Sequence, residues 1–306
     1  MAMDNSNLKI WLEERYGFVG NISVELLRSY TNDVYLVKTS SDRFILKLYS
    51  PVWPSESEIL WEIDLLNHLK RKGVRISAAI NANDSKCVST YFVNKENKFA
   101  VLFEYASGSK PKPPFDIALY YKFGQAAALL HEKSADFVSK YSRPTLDLNY
   151  LIDESTALVK DLISNDDFNF FKEFGSKLKV KINDYLKYGL DWGIVHGDLT
   201  LDNLHVGDDG SITFYDFDSS GQGWRGMELQ GWAVLGEESR SKLEAFLKSY
   251  QEVRGVNKND IDASPYLQAA QDMWLRRGMK ALTDPKVLKA QIDQVKTWSQ
   301  YFNDKL

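Results

Sequence analysis

Asp198, Asn203 and Asp216 are the residues whose types and spacing could do chemistry together, successive steps of five and thirteen positions within one stretch of the 306-residue chain. That stretch, IVHGDLTLDNLHVGDDGSITFYDFD at 194–218, runs from an apolar start through a polar loop into a predicted β-hairpin. Its turn is Gly-Asp-Asp-Gly at 207–210, residue types that tolerate the positive φ of tight hairpin turns. An antiparallel return would carry Asp216 back beside Asn203. One loop would then present an isolated carboxylate, an amide and a second carboxylate to one point, which alone is compatible with a phosphatase or a metal site.

Moving the terminal phosphoryl group of a nucleotide asks three things of a protein. A carboxylate orients the attacking hydroxyl and accepts its proton, oxygen ligands hold magnesium, and a cation sits on the remaining phosphates. The stretch can supply the first two, with Asp198 as the base and Asn203 and Asp216 as magnesium ligands. Magnesium prefers hard oxygens and keeps several waters, so one amide, one carboxylate and the phosphates suffice. For the third, Lys47 is a lone cation in the apolar run FILKL, and Glu62, on the packed side of the next helix, could orient it. The plainer readings are an edge-strand lysine facing water and a carboxylate at the margin of an apolar stripe, a part that Glu58 could also play.

The elements that must position these residues can be read in order. Residues 7–16 form a short amphipathic helix, and residues 22–48 change to period two, an antiparallel meander with turns at 29–33 and 39–43. In its third strand Ile45, Lys47 and Tyr49 share one face. Ser55 and Glu58 make a capping box for a helix that runs to about Arg71 and is closed by Gly73. Strand-like runs at 87–93 and 99–105 complete a first lobe, residues 1–105. The segment ASGSKPKPP at 106–114 cannot be regular structure, since proline removes donors and glycine adds freedom, so it reads as a junction. Residues 115–306 form a mostly helical second lobe, with helical spacing at 115–133, about 152–163, 168–188, 227–235, 240–253 and 265–281. A last helix begins with Asp284 as N-cap and Pro285 at its first position.

Composition narrows the function classes. A content of 44% hydrophobic and 26% charged residues is that of an ordinary globular protein. The net charge of −4 gives no overall basic field for nucleic acid or an anionic membrane. One cysteine, Cys87, excludes an intramolecular disulfide framework and a cysteine-based zinc cluster. With no signal-like start and no run of about 18 apolar residues, the expectation is a soluble, cytoplasmic protein.

HGDLTLDN at 196–203 followed by YDFD at 215–218 resembles the catalytic and metal-binding segments of the aminoglycoside phosphotransferase and choline kinase family. The resemblance extends more weakly to FILK at 44–47, the helix bearing Glu62, a hinge-like VLFEY at 101–105 and AALLH at 127–131. It implies an α+β, protein-kinase-like two-lobed fold and a nucleotide-dependent kinase using ATP or GTP with Mg2+. It implies Asp198 as catalytic base, Asn203 and Asp216 on magnesium, Lys47 on the phosphates with Glu62 as partner, and the backbone of Glu104, Tyr105 and Ala106 against the adenine. His196 would brace the loop. The implied acceptor is a small-molecule hydroxyl, aminoglycoside-, choline- or homoserine-like, and the acidic balance suits a cationic one.

The chain departs from related kinases in two places. Its phosphate-covering loop, SYTND at 29–33, has no glycine, and Gly197 stands where eukaryotic protein kinases carry arginine, with no Ala-Pro-Glu after Asp216. A phosphorylation-controlled activation loop is therefore not expected. Three other motifs carry less weight. GQGWRG at 221–226 satisfies GxGxxG but lacks a flanking βαβ series, and DFDSS at 216–220 resembles a phosphatase nucleophile motif that normally opens a chain. Trp192, Trp224, Trp232 and Trp274 could cage a quaternary ammonium, although aromatic residues in a helical lobe are more often core. A protein Ser/Thr acceptor, as in bacterial stress-response kinases of this family, and a non-catalytic nucleotide-binding regulator are the alternative functions.

Overall fold

Period-two alternation in the first hundred residues produces the antiparallel sheet around which the first lobe is built. In a computed structural model, which describes residues 5–93, 95–275 and 279–306, its strands are β1 (Ser23–Ser29), β2 (Asp33–Lys38), β3 (Arg43–Leu48), β4 (Ala79–Ile80), β5 (Ser89–Val93) and β6 (Glu96–Glu104). The hydrogen-bonded order is β1-β2-β3-β6-β4, with β5 also paired to β6. Alternation sends Val24, Tyr35, Val37, Leu46, Leu48 and Leu102 to one face, where Leu8 and Leu12 of α1 (Asn5–Tyr16) cover them. The opposite face carries Lys47, Val101 and Phe103, and faces α2 (Glu56–Arg71). The capping box at Ser55 and Glu58 starts α2, and Ile59, Ile63, Leu66 and Leu69 form its buried stripe.

The second lobe is helical. It contains α3 (Ile117–Lys133), the short α4 (Ser155–Val159), α5 (Asn165–Leu186), α6 (Arg240–Val253), α7 (Lys258–Asp272) and α8 (Pro285–Phe302). Helices α3 and α6 approach closely at Gly124, where an added Cβ would lie 2.2 Å from the Phe246 carbonyl oxygen. Two small ladders interrupt the helices. β7 (Trp192–Val195) pairs with β10 (Gly221–Trp224), and β8 (Leu204–Val206) pairs with β9 (Ile212–Phe214), all antiparallel. No helix among the described residues is long and apolar enough to cross a membrane.

Several elements differ from the sequence expectation. The run at 227–235 is two 3-10 turns, Arg225–Glu228 and Gly231–Leu235, not a helix. The run at 152–163 is a π-turn, Asn149–Glu154, continued by α4. The helix expected at 265–281 begins at Lys258 and ends at Asp272; residues 276–278 of that expectation lie outside the described residues. Pro265 sits inside α7, whose buried face includes Ala263, Ser264 and Leu267. GQGWRG makes β10 and the turn after it, so Gly221 and Gly223 pair with β7 instead of opening a dinucleotide-binding turn.

Candidate active site

The β8–β9 hairpin brings the candidate residues of the second lobe together. Leu204 pairs with Phe214 in register, and the Tyr215 amide donates to the Asn203 carbonyl at 3.0 Å, so Asp216 follows directly beside Asn203. Gly210 takes φ +74° in the turn. Asp216 itself adopts a left-handed backbone, φ +67° and ψ +59°, a conformation Asp tolerates better than most side chains and one that concentrates at functional sites.

Asp198 sits on the polar loop between β7 and the hairpin. The Asn203 Nδ2 donates to its carboxylate at 2.7 Å and to its carbonyl at 2.9 Å, which turns the Asn203 Oδ1 away from Asp198. Burial pushes the Asp198 carboxyl above its ordinary range, and the Asp216 charge adds to the shift against the opposing influence of His196 and Asn203. The Asp198 amide donates to His196 Nδ1 at 3.3 Å, so the His196 Nε2 carries the hydrogen it gives to the Tyr215 carbonyl at 3.0 Å. His196 thus ties the loop to the strand end that carries Asp216. Gly197 is needed here: its φ is +80°, and an added Cβ would lie 2.0 Å from the Ser219 carbonyl oxygen.

A buried chain of polar groups supports this loop from behind. Glu228, 2% exposed, accepts from the amides of His196 at 3.1 Å and Gly197 at 2.7 Å. His131 Nε2 donates to the same carboxylate at 2.7 Å, and its Nδ1 meets the Tyr250 hydroxyl at 2.8 Å. Burial would raise the Glu228 carboxyl, but the His131 bond outweighs it and the group is held below its ordinary range. Burial lowers His131 against the pull of Glu228, which fits a neutral ring between an ionised carboxylate and a phenol. His131 falls in the AALLH segment; Glu228 carries no signal in the sequence beyond being a charge in an apolar surrounding.

Lys47 projects from the inner face of β3 onto Asp216, with its Nζ 2.6 Å from Oδ1, and lies 3.5 Å from Asp218. Arg28 donates to the other Asp216 oxygen, Oδ2. Burial alone would raise the Asp216 carboxyl, yet Lys47 and Arg28 together hold it well below the usual carboxylate range. Burial likewise opposes a charged Lys47, and the Asp216 and Asp218 charges overcome it and lift the amine well above its ordinary value. Asp218 is therefore nearer the chemistry than the sequence suggests, and its Oδ2 also accepts from Asn32 Nδ2 at 2.8 Å.

Glu62 stands between two cations. Among the described residues its direct ion pair is with Arg143, at 3.4 Å, while Lys47, engaged by the two aspartates, still acts on the Glu62 carboxylate through its charge. Arg143 also donates to the Phe217 carbonyl at 3.0 Å and to the carbonyl and hydroxyl of Ser220, each at 2.8 Å. Its guanidinium lies 5.2 Å from the centre of the Trp61 ring. The planar guanidinium fork of Arg143 spans Glu62 and two carbonyls at once, while the Lys47 ammonium is engaged by Asp216 and Asp218.

Two cavities meet at Asp216. One, about 290 Å3, lies under the sheet and is lined by Val34, Ile45, Lys47, Phe103, Tyr105 and Ala106. The Glu104 carbonyl accepts from the Ser77 hydroxyl, while the Ala106 carbonyl meets His205 Nδ1 at 2.8 Å, so both ends of this three-residue segment are fixed. The other, about 820 Å3, opens into the helical lobe and holds Asp198, Trp232, Trp274, Gln271 and Asp272. Arg28, Asp202 and Asp216 line both. Trp192 and Trp224, by contrast, stack edge to face at 4.9 Å on the β7–β10 ladder.

This arrangement can hold a cation between Asn203 and Asp216, place a flat apolar group under the sheet, and set a base in the larger cavity. The model of the phosphotransferase enzyme family, APH, matches residues 23–262. An uncharacterized protein of Deinococcus radiodurans is 30% identical over 277 residues, 86% of this chain and 78% of that one. Among solved structures, a microcompartment-associated aminopropanol kinase has a TM-score of 0.79 at 20% identity, over 99% of this chain and 98% of that one. An amicoumacin kinase in complex with AMP-PNP and Ca2+ has a TM-score of 0.80 at 20% identity, over 99% and 94%. The α+β architecture with a sheet lobe and a helical lobe is the fold of these kinases. The chain belongs to the phosphotransferase enzyme family and is a kinase whose acceptor is an alcohol group.

Proposed function

We propose that the chain transfers the γ-phosphoryl group of ATP, or alternatively GTP, to a hydroxyl of a small molecule that also carries a positive charge. The observation that carries this is the division of labour at Asp216: Lys47 lines the narrow apolar cavity, Asp198 the wide one, and Asp216 lines both. A nucleotide in the narrow cavity would present its phosphates to Lys47 and Asp216, with its base against Glu104, Tyr105 and Ala106. Residues 1–105 then act as the nucleotide lobe, 106–114 as the hinge, and 115–306 as the lobe that binds the acceptor.

The residues fit magnesium. Asp216 is held deprotonated, already draws two cations onto its oxygens, and follows Tyr215, whose amide is bonded to the Asn203 carbonyl, so that Asn203 stands close by. Among the described residues no group of three or more His, Cys, Asp or Glu could hold a metal, so the phosphates would complete the shell. When bound, the ion neutralises phosphate charge. The chain's own part is to orient: Asn203 fixes the Asp198 carboxylate, His196 fixes the loop, and Asp198 takes the proton of the attacking hydroxyl.

A cavity of about 820 Å3 has the size of a small-molecule site, which favours such an acceptor over a protein side chain. Its far wall supports a cationic one. Asp272 Oδ2 accepts from Trp298 Nε1 at 2.6 Å and from Gln294 Nε2 at 3.4 Å, which leaves the carboxylate fixed beside Gln268, Gln271 and Gln291. The aminopropanol and amicoumacin kinases similar to this chain encourage testing amino alcohols first. The experiment is a screen of amino alcohols, their diol counterparts, choline and aminoglycosides with magnesium and ATP or GTP, in wild type and Asp198→Ala. Expected is transfer to an amine-bearing alcohol, lowered by roughly 10² to 10⁴ in the variant with nucleotide affinity kept. Unchanged turnover in Asp198→Ala, or phosphate appearing only on proteins of a lysate, refutes the reading.

A further inference from the structure

The loop at 29–33 carries no glycine, and a β-bulge just before it turns a cation toward the cleft. Along β1 and β2 the register runs Val24 with Val37, Glu25 with Leu36 and Leu26 with Tyr35, then shifts so that Arg28 pairs with Val34. Leu27 is the extra residue. Without it, strict alternation would place Arg28 on the face of Val24 and Leu26, beneath α1; the inserted residue turns Arg28 to the cleft face instead. Val34 in turn pairs with Lys47 on β3, so Arg28 and Lys47 stand in one row across the sheet, two strands apart. Both reach Asp216, one on each oxygen.

Their positions nevertheless differ. Lys47 is 5% exposed and lines only the cavity under the sheet. Arg28 is 53% exposed and lines both cavities, at the point a phosphoryl group must cross between them. The loop beyond Arg28 is pinned by its own side chains: Ser29 Oγ donates to Asp33 Oδ1 at 2.6 Å, Asn32 Nδ2 to Asp218 at 2.8 Å, and Lys98 Nζ reaches Asp33 at 2.7 Å. The base of Arg28 is thus fixed while its guanidinium remains at the surface of the cleft.

We propose that Arg28 is a catalytic residue that binds the oxygens of the transferring γ-phosphoryl group. This rests on the reading of the chain as a nucleotide-dependent kinase. In the step, the acceptor oxygen bonds to the γ-phosphorus and its proton passes to Asp198. The bond from that phosphorus to the β–γ bridging oxygen breaks, its electron pair staying on ADP. Arg28 keeps its own protons and holds charge on the oxygens in transit, as planar guanidinium groups do for phosphates. Asp216 has one negative charge shared by two cations, so a magnesium triphosphate is the stronger partner for the more exposed of the two.

The test compares wild type with Arg28→Ala and Arg28→Lys for binding of magnesium with ADP, AMP-PNP, and ADP plus aluminium fluoride, and for turnover. The proposal expects ADP affinity in Arg28→Ala within about threefold of wild type and AMP-PNP affinity lower by about 10- to 100-fold. It expects the tightening by aluminium fluoride to disappear, turnover to fall by at least about 10²-fold, and Arg28→Lys to lie between. If Arg28 is only a counterion of Asp216, removing it frees that carboxylate, and Arg28→Ala binds magnesium AMP-PNP as well as wild type or better; that result overturns the proposal alone. Failure of wild type to bind any magnesium nucleotide overturns the kinase reading and this proposal with it.

Discussion

Replacing Arg143 by methionine tests whether the Glu62 pairing in this fold is the structural tie that its geometry indicates. The guanidinium, 5% exposed, is the counter-charge at 3.4 Å to a carboxylate that is 1% exposed, and it also satisfies the Phe217 and Ser220 carbonyls. Methionine keeps most of the length and apolar contact with Trp61 but removes the ion pair at 3.4 Å, leaving the charge of Lys47 alone to oppose burial of Glu62. Removing one partner of a buried ion pair costs about 3–5 kcal/mol, on the order of 6–10 °C in melting temperature for a chain of this size. Burial already lifts the Glu62 carboxyl, opposed by Lys47 and Arg143. Without Arg143 it rises further, so the folded state holds a proton that the unfolded chain releases near its ordinary value of about 4.3. Stability from that proton is present at low pH and lost as pH climbs through the raised value, so the deficit of Arg143→Met should be larger at pH 8 than at pH 5. The assay is thermal and urea unfolding of wild type, Arg143→Met, Glu62→Gln and the double variant at both pH values. The double variant should be more stable than the sum of the single losses by about 1–3 kcal/mol. A melting temperature within about 2 °C of wild type for Arg143→Met, or additivity within about 0.5 kcal/mol in the cycle, refutes the argument.

Asp216→Asn removes the charge that draws Lys47 and Arg28. Magnesium-dependent tightening of nucleotide binding should disappear, measured as the ratio of ATP affinities with and without the ion, and persistence of that ratio contradicts the assignment. Asp272→Asn should raise the KM of an amine-bearing acceptor by about 10- to 100-fold, the value of one charge-assisted bond, while leaving the KM of its diol counterpart within about twofold; equal effects on both would remove Asp272 from recognition. His131 is buried and its proton affinity lowered, so its contribution to stability is full above its unfolded value near 6.5 and is lost as pH falls below that. Unfolding free energy should therefore drop between pH 7 and pH 5, and the drop should be smaller in His131→Gln. An unchanged slope would show that His131 is not the titrating group.

What could be read from the sequence follows how local each interaction is. The meeting of Asp198, Asn203 and Asp216 depends on one hairpin whose strands, turn and register are written within 25 consecutive residues, so period-two alternation and a Gly-Asp-Asp-Gly turn are enough to foresee it. The face of Lys47 follows from alternation within one strand in the same way. Arg28 escapes such reasoning because a single inserted residue inverts every inward and outward assignment after it, and a bulge at Leu27 leaves no mark on composition. Distance in sequence hides the rest. Glu62 and Arg143 are 81 residues apart, His131 and Glu228 97, and His131 and Tyr250 119, and each pairing depends on how the lobes and helices dock.

The same distinction explains the arrangement of charge. Asp216 is placed by a local hairpin, but what holds it deprotonated are two cations delivered from one row of a sheet in the other lobe. Arg143 gives Glu62 an ion pair of its own, and both Lys47 and Arg28 are bonded to the carboxylate where the two cavities meet. The cleft therefore brings two cations from one row of a sheet to the carboxylate where the cavities meet, without glycine at the hairpin tip.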